Sequence, residues 1–187
     1  FDFTALESCR AYWGLGGHHA STDAAIDATA GQALVYDGKF ATAVFSACCG
    51  GWTENNENVW SGPPNAILRG VPDFASGKNG ETPSSESAWR SKIKAKPDAW
   101  CAGDTAGFRW KKQFTNKELS DIVNRRHAVG AIKSIKEGSR GVSGRLKSVT
   151  ITGSKGSVTV ERELAIRQVF GGLPSAMFII EASPAGS

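Results

Sequence analysis

The sequence contains no long apolar run. No window of its 187 residues is apolar for long enough to cross a membrane, so we expect no membrane span in this chain. The first residues also lack the pattern of a signal peptide. The chain also lacks a large excess of either charge. Its 22 Lys and Arg residues nearly balance its 18 Asp and Glu residues, so the net charge is +4. This mild basicity is compatible with an anionic polymer, but it is too weak and too dispersed to predict nucleic-acid binding.

Two short basic segments also fail to predict nucleic-acid binding. Arg125-Arg126-His127 has the pattern of a solvated helix end. Residues 108–114, with the sequence FRWKKQF, alternate aromatic and basic side chains. Such a stripe could stack on nucleobases, but the alternation favours a strand with Phe108 and Trp110 facing the core. We therefore predict no nucleic-acid partner.

The sequence also lacks the spacing of a standard metal site. No CxxC pair is present, and the order of cysteines and histidines matches no standard zinc module. His18-His19 lie in a glycine-rich loop, and no third ligand is in register with them. Exposed or hydrogen-bonded imidazoles are therefore favoured over a metal centre.

The four cysteines, Cys9, Cys48, Cys49 and Cys101, are disulfide candidates that permit three complete pairings. A bond between Cys48 and Cys49 would be strained, because neighbouring residues of a strand point to opposite faces. In an oxidising compartment, cross-links from this pair to Cys9 or Cys101 are favoured. We predict that Cys101 bonds to Cys48 or Cys49. A catalytic thiol is the weaker interpretation, because no histidine base can be placed beside it.

Glycine is abundant, and its 22 residues indicate many turns and short strands. The pattern predicts an α+β fold, a single domain with a groove, several short antiparallel hairpins and sheets, and a few short helices. Asp37-Gly38 between two β-runs predicts a hairpin, and Thr115 with Glu118 predicts a capping box. Residues 72–87 are predicted to form a surface loop insertion and residues 182–187 a frayed tail. Predicted helices cover 24–30, 87–94, 115–129 and 164–170, and predicted strands or extended segments cover 32–36, 39–45, 65–71, 108–114, 131–136, 145–152, 157–161 and 176–181.

The most informative stretch is Phe40–Trp60, with the sequence FATAVFSACCGGWTENNENVW. It is predicted to begin as a strand and to end among small and polar residues, where two adjacent glycines permit a sharp turn or a close approach. Hydroxyls, carboxylates and indoles at one strand end suit a groove for a polar polymer such as a glycan. The alternative is a glycine-rich loop beside a core tryptophan. The groups concerned are Ser46, Gly50, Gly51, Trp52, Thr53, Glu54, Glu57 and Trp60.

Further short motifs, which follow one another in the same order as in a known protein family, extend this interpretation along the chain. Residues 45–60 contain a strand followed by a block similar to SGG-x-T-E and then Val59-Trp60. Other matching segments are 1–12 with Cys9-Arg10-Ala11-Tyr12, 24–38, 65–73, Ser143-Gly144-Arg145, Ile166-Arg167, Leu173-Pro174-Ser175 and Phe178. With these motifs the chain resembles the stage II sporulation protein D family, also called the amidase-enhancer (LytB-like) family.

The resemblance implies chemistry on peptidoglycan, the glycan of the bacterial cell wall. Members of that family that act as enzymes are lytic transglycosylases. A glutamate protonates the glycosidic oxygen and then assists attack by the muramoyl 6-hydroxyl, which gives a 1,6-anhydro product. A carboxyl group with a raised pKa suits this step. The resemblance implies no metal or nucleotide cofactor.

The chain departs from that family's pattern at three places. The catalytic glutamate lies in an N-terminal segment that precedes the part matched by 1–12, so we expect it upstream of residue 1 and predict no catalytic residue in this chain. Ser8-Cys9 replaces a His-Cys pair near which some members hold zinc, which leaves Cys9 as a weak metal candidate. Cys48-Cys49 stands where Ser or Asn is commoner.

These observations lead to three hypotheses for residues 1–187. The domain is a lytic transglycosylase core, a non-catalytic peptidoglycan-binding module that supports an amidase, or a structural component of an envelope complex. Expected partners are glycan strands, with a cleaved N-terminal fragment or other envelope proteins, and the expected location is extracytoplasmic. The predicted substrate-binding residues are Tyr12, Ser46, Gly50, Gly51, Thr53, Glu54 and Trp60.

Overall fold

The structure is a computed structural model that describes residue 16 and residues 19–74, 81–103 and 105–182. The chain divides into two compact units at Val44 and Phe45. Within the described residues there are six short helices, one 3-10 helix and two small antiparallel sheets, which confirms the predicted α+β class. In the same part of the chain, no helix combines the length and the apolar character that a membrane crossing needs. The predictions for Cys9, Tyr12 and His18 lie outside the described residues.

The described part of the first unit contains one helix and one hairpin. Helix α1 spans Ala20–Ala28, so it begins four residues and ends two residues before the predicted helix 24–30. Strands β1 (Val35–Tyr36) and β2 (Lys39–Phe40) form the predicted hairpin. Asp37 and Gly38 have φ of 50° and 71°, the left-handed values that a tight two-residue hairpin turn requires. The predicted extension of the second strand to residue 45 is wrong.

The second unit is built on a three-stranded antiparallel sheet in the order β3–β4–β5. Its strands are β3 (Ile132–Glu137), β4 (Ser148–Gly153) and β5 (Ser157–Glu161). Residues of β4 alternate between half-buried and fully buried, so one face of the sheet carries the core. Helix α5 (Asn116–Asn124) packs on β3, and helix α6 (Glu163–Val169) packs on β4 and β5. Buried residues of this core are Val123, Val129, Ile132, Leu146, Val149, Ile151, Val160, Ile166, Val169, Phe170, Leu173, Ala176 and Phe178.

Helix α5 spans Asn116–Asn124 and begins with the predicted capping box of Thr115 and Glu118. It ends five residues before the predicted limit. The amide of Asn124 bonds both the N–H and the carbonyl of Gly130 at 2.8 Å, which folds the intervening residues back on the helix end. Gly130 has a φ of +79°, and a Cβ there would lie 2.3 Å from Ser154 Oγ. The helix end is therefore fixed by contacts with a distant turn.

Two predicted strands are absent from the described residues. Segment 108–114 begins in helix α4 (Thr105–Phe108) and continues without regular structure, and segment 176–181 forms no ladder. Their apolar side chains nevertheless pack inward, since Phe108 and Phe178 are buried. The alternation in these segments reflects packing of irregular backbone. The remaining elements are α2 (Asn56–Val59), α3 (Glu86–Lys94) and a 3-10 helix (Trp100–Gly103).

Candidate functional site

The carboxylate of Glu54 joins two segments that are distant in sequence. One oxygen, Oε1, accepts hydrogen bonds from Asn55 N (2.9 Å), Asn58 Nδ2 (2.9 Å) and Val142 N (3.2 Å). The other, Oε2, accepts from Ser143 N (3.2 Å) and Ser143 Oγ (2.5 Å). Five donors on one carboxylate tie the block after the glycine pair to the Ser-Gly-Arg motif. We call this arrangement the Glu54 junction.

Two glycines permit the close approach at the Glu54 junction. A Cβ on Gly141 would lie 2.1 Å from Glu54 Oε2, so no side chain fits between this backbone and the carboxylate. Gly144 has a φ of +81°, and a Cβ there would lie 2.5 Å from the Trp89 ring. Both positions therefore depend on glycine for contacts within the protein.

Arg145 makes the second connection between the two segments. Its guanidinium donates from Nη1 to the carbonyl of Trp52 and from Nη2 to the carbonyl of Cys49, each at 3.1 Å. These bonds satisfy backbone acceptors of the irregular turn that the glycine pair creates. The two motifs that carry the family resemblance thus form one connected substructure.

An open depression of about 570 Å³, which we call the polar groove, lies beside the Glu54 junction. One side is the short helix α2 with the residue before it, and the other is the loop that leads to the Ser-Gly-Arg motif. Amide, hydroxyl, carboxylate and cationic groups line it together with an indole edge. The lining residues are Asn55, Glu57, Asn58, Thr82–Glu86, Trp89, Ser139–Val142 and Lys147.

Both carboxylates of the polar groove are held in the charged form. Glu57 pairs with Arg69, whose Nη1 lies 3.0 Å from Glu57 Oε1, and these hydrogen bonds lower the pKa of Glu57. Glu86 accepts from Arg140 Nε at 2.8 Å and Nη2 at 3.0 Å, which lowers the pKa of Glu86 in the same way. A carboxylate with a lowered pKa is ionised at neutral pH and is a poor proton donor there.

Arg140 anchors the wall of the polar groove from the inside. Its side chain is 3% exposed, and its Nη1 donates to the carbonyls of Gly144 and Phe178 at 2.9 Å. Its Nη2 lies 2.7 Å from Glu137 Oε2, and Oε1 of the same carboxylate accepts from Ile180 N at 2.5 Å. A buried guanidinium with all of these acceptors fixes the loop that lines the groove.

The predicted glycine pair lies in the interior of the protein. Gly50 and Gly51 are buried and have φ of +71° and +100°, so the sharp turn expected from the sequence is present. A Cβ on Gly50 would lie 3.2 Å from Met177, and one on Gly51 would lie 3.6 Å from Ala99 and Pro97. The close approach is therefore made by the protein's own side chains, and substrate contact at these glycines remains a prediction.

The other predicted residues are distributed around this turn. Ser46 is exposed, and Trp60 is 50% exposed. Thr53 Oγ1 accepts a hydrogen bond from Val71 N at 2.9 Å and holds the neighbouring segment. Glu54 forms the junction described above and does not line the polar groove, and Tyr12 lies outside the described residues. The substrate-binding role of all of them remains a prediction.

Trp52 is a core residue. Only 1% of it is exposed, and its ring makes edge-to-face contacts with Phe74 and Trp89 at centroid distances of 4.9 and 5.4 Å. Trp89 in turn borders the polar groove. The core tryptophan of the alternative interpretation is therefore present, and a groove lies near it, whereas glycan binding by this stretch remains a prediction.

Three cysteines meet behind the glycine pair. Cys49 Sγ lies 3.5 Å from Cys101 Sγ and 3.1 Å from Asp73 Oδ2. Cys48 Sγ lies 4.0 Å from the carbonyl oxygen of Cys101. Cys49 and Cys101 face each other as thiols, and the predicted bond from Cys101 to Cys48 or Cys49 remains a prediction. Over the described ranges, no group of three or more His, Cys, Asp and Glu side chains has the geometry of a metal site.

Several residues of the site were not identified from the sequence. Asn55, Asn58 and Lys147 belong to the polar groove, and Arg140 supports it. The Ser-Gly-Arg motif was noted as part of a resemblance, but its contact with Glu54 spans 89 residues and has no local signal. Only the packing of the irregular loops brings these groups together.

Comparison with known proteins gives a family without an assigned activity. A model of a domain of unknown function (DUF8618) matches residues 54–185, which is well over half of the chain. No curated protein matches, and no solved structure matches. The matched range begins at Glu54 and contains the Ser-Gly-Arg motif and the whole polar groove. The chain belongs to the DUF8618 domain family.

Proposed function

We propose that this domain binds glycan strands of peptidoglycan and forms the substrate-holding part of a lytic transglycosylase whose general-acid glutamate lies upstream of residue 1. The observation that carries the proposal is the polar groove, which is open and lies beside the junction of the two motif segments. Residues at this junction are those through which the chain resembles the stage II sporulation protein D family. The proposed location is extracytoplasmic, where this polymer is found.

The lining of the groove suits a polysaccharide with amide and carboxylate substituents. The side-chain amides of Asn55 and Asn58 line the groove, and each uses one polar atom inside the protein, Asn55 Oδ1 for Gly70 N and Asn58 Nδ2 for Glu54 Oε1. The second polar atom of each amide, with the hydroxyls and the carboxylate of segment 82–86, is of the kind that recognises sugar hydroxyls and N-acetyl groups. Lys147 is exposed at the groove and supplies a cation for the lactyl carboxylate of muramic acid. An open groove accommodates a chain, whereas a closed pocket would select a small molecule.

Catalysis by groove residues alone is disfavoured by their ionisation. Glu57 and Glu86 both have lowered pKa values, because each is hydrogen-bonded to an arginine. This favours a second candidate function, a peptidoglycan-binding module without turnover that supports a separate amidase. The two functions share the same binding groove and differ in the source of the acid.

Co-sedimentation with insoluble peptidoglycan that has been stripped of its stem peptides tests the binding step. We expect the protein to sediment with the polymer and Lys147→Ala to bind several-fold more weakly. Lys133→Ala is the matched control, because Lys133 is an exposed lysine on β3 that does not line the groove. An absence of binding, or equal losses in both variants, would refute the groove assignment.

Mass spectrometry of the released sugars then separates the two functions. With an upstream segment that carries a glutamate joined to the chain, the transglycosylase proposal predicts soluble 1,6-anhydromuramoyl products. Binding without such products, together with faster amidase hydrolysis of intact peptidoglycan that keeps its stem peptides, would support the non-catalytic module. A groove that a second protein fills and that binds no glycan would support the structural role.

A further inference from the structure

The cysteines at the glycine pair form a contact that the proposed function does not use. Cys49 and Cys101 are separated by 52 positions in sequence, yet their sulfur atoms lie 3.5 Å apart. A disulfide needs a sulfur separation of about 2 Å, so a movement of roughly 1.5 Å would bring these atoms to bonding distance. We propose that Cys49 and Cys101 form a redox-active dithiol that is oxidised to a disulfide by exchange with an external organic disulfide.

The two thiols are placed for different roles. Cys101 is half-buried on the 3-10 helix, whereas Cys49 is 7% exposed. Burial opposes ionisation of Cys101, but hydrogen bonds from the Cys48 and Cys49 thiols and from backbone N–H groups outweigh it and lower the pKa of Cys101. Burial raises the pKa of Cys49 to about 12, and its hydrogen bond to Asp73 acts in the same direction. Cys101 is therefore the attacking thiol and Cys49 the resolving thiol.

The reaction balances with the external disulfide as oxidant. The Cys101 thiolate attacks one sulfur of the donor, forms a mixed disulfide and expels the other sulfur as a thiolate. Cys49 then attacks Cys101 Sγ, the internal bond forms, and the second donor sulfur leaves as a thiolate. Asp73 Oδ2, 3.1 Å from Cys49 Sγ, accepts the proton that Cys49 loses. In total the protein loses two protons and two electrons, which the donor disulfide takes up to become two thiols.

Cys48 is the competing partner. Its sulfur lies 4.0 Å from the carbonyl oxygen of Cys101, and its thiol also favours the Cys101 thiolate. The geometry favours Cys49, whose sulfur makes the 3.5 Å sulfur–sulfur contact and which has the carboxylate beside it. Because Cys48 and Cys49 are adjacent, peptide mapping cannot separate them, and single variants are needed.

The experiment uses the full chain in buffers with defined ratios of oxidised and reduced glutathione. Free thiols are alkylated under denaturing conditions and counted by intact mass. We expect the wild-type protein and Cys48→Ser to form the internal disulfide, and Cys49→Ser to stop at a glutathione adduct on Cys101. Asp73→Asn should form the same bond several-fold more slowly, with the adduct visible as an intermediate. Circular dichroism checks that each variant folds.

Three results of the thiol-counting experiment would overturn the Cys49–Cys101 assignment. A disulfide that persists in Cys49→Ser and disappears in Cys48→Ser would overturn the assignment, as would a bond between Cys101 and Cys9. Four alkylated thiols in the wild-type protein under the most oxidising buffer would overturn it as well. Oxidation should raise the melting temperature of the wild-type protein by roughly 10 °C, since the bond closes a long loop. An unchanged melting temperature in a protein shown to be oxidised would contradict a Cys49–Cys101 bond.

Discussion

Replacing Glu54 with glutamine tests the structural role of the Glu54 junction. The substitution keeps the shape of the side chain but removes its charge and turns one acceptor oxygen into a donor. Donors surround both oxygens, so an amide NH₂ placed at Oε2 would face Ser143 N, and at Oε1 it would face Asn55 N, Asn58 Nδ2 and Val142 N. Either orientation leaves at least one donor without its acceptor.

The expected cost follows from the number of bonds affected. Two bonds to the charged oxygen Oε2 are worth about 1.5–3 kcal/mol each, and the hydroxyl of Ser143 can recover part of the loss by rotating to accept from the new amide. We expect Glu54→Gln to lower the free energy of unfolding by about 2–4 kcal/mol. With a slope of about 2 kcal/mol per M in urea, the midpoint should fall by about 1–2 M.

Urea unfolding followed by tryptophan fluorescence measures this change, because the buried Trp52 reports on the same segment. Glu161→Gln is the control, since Glu161 is an exposed carboxylate on β5, and we expect it to shift the free energy of unfolding by less than about 0.5 kcal/mol. A loss for Glu54→Gln no larger than that of the control would refute the view that this carboxylate joins the two segments.

Three further substitutions test the surroundings of the junction. Gly141→Ala should cost about 2–4 kcal/mol in the free energy of unfolding, because its Cβ would lie 2.1 Å from Glu54 Oε2. The control Gly103→Ala should cost less than about 1 kcal/mol, because Gly103 has open space around it. Equal losses in urea unfolding would contradict the close approach at Gly141. Arg140→Met should cost about 3 kcal/mol by the same assay, because it removes one of the two guanidiniums paired with the Glu137 carboxylate and the donor to the carbonyls of Gly144 and Phe178. A neutral or stabilising effect would show that these contacts of Arg140 are dispensable. Glu86→Gln should destabilise the protein at neutral pH. Because the pKa of Glu86 is lower in the folded state than in the unfolded state, the stability that its charge contributes is lost as the pH falls below about 4, and the difference from wild type should disappear there. A difference in stability that is constant with pH would argue against the ion pair.

Local signals predicted the elements whose ends are decided locally. The capping box of Thr115 and Glu118 is made by residues three apart, and the Asp37-Gly38 turn needs only two left-handed residues. The β4–β5 hairpin was likewise predicted, because its strands alternate and its turn is short. These features depend on neighbours in sequence, so they can be predicted without knowledge of the fold.

Features decided by distant contacts were missed. Helix α5 ends at Asn124, and the residues that follow are held by the distant turn, where Lys155 N donates to the carbonyl of Val129 and Ser154 N to that of Ala131; no propensity at residues 125–129 indicates this. Segment 176–181 has the composition of a strand, but Ala176 instead accepts one bond from Leu146 N and forms no ladder. An apolar pattern predicts burial, whereas the type of backbone is set by which partner is available.

The turn near the candidate site was predicted, but the lining of the polar groove was not. The sharp turn expected at Gly50 and Gly51 is present, whereas the groove is lined by residues other than the predicted substrate-binding ones, whose role remains a prediction. The sequence could not show that Glu54 points at Ser143 or that Asn58 and Lys147 face the groove. Those assignments depend on the packing of two loops almost ninety residues apart.

The most direct test of the proposed function is a nuclear magnetic resonance titration of the full chain with a soluble, peptide-free oligosaccharide of peptidoglycan. If the polar groove binds the glycan, the largest chemical-shift changes will fall on the backbone and side-chain amides of Asn55–Asn58, on residues 139–142 and on the Trp89 indole. Shifts that cluster away from these groups, or no shifts at concentrations at which the polymer co-sediments, would contradict it.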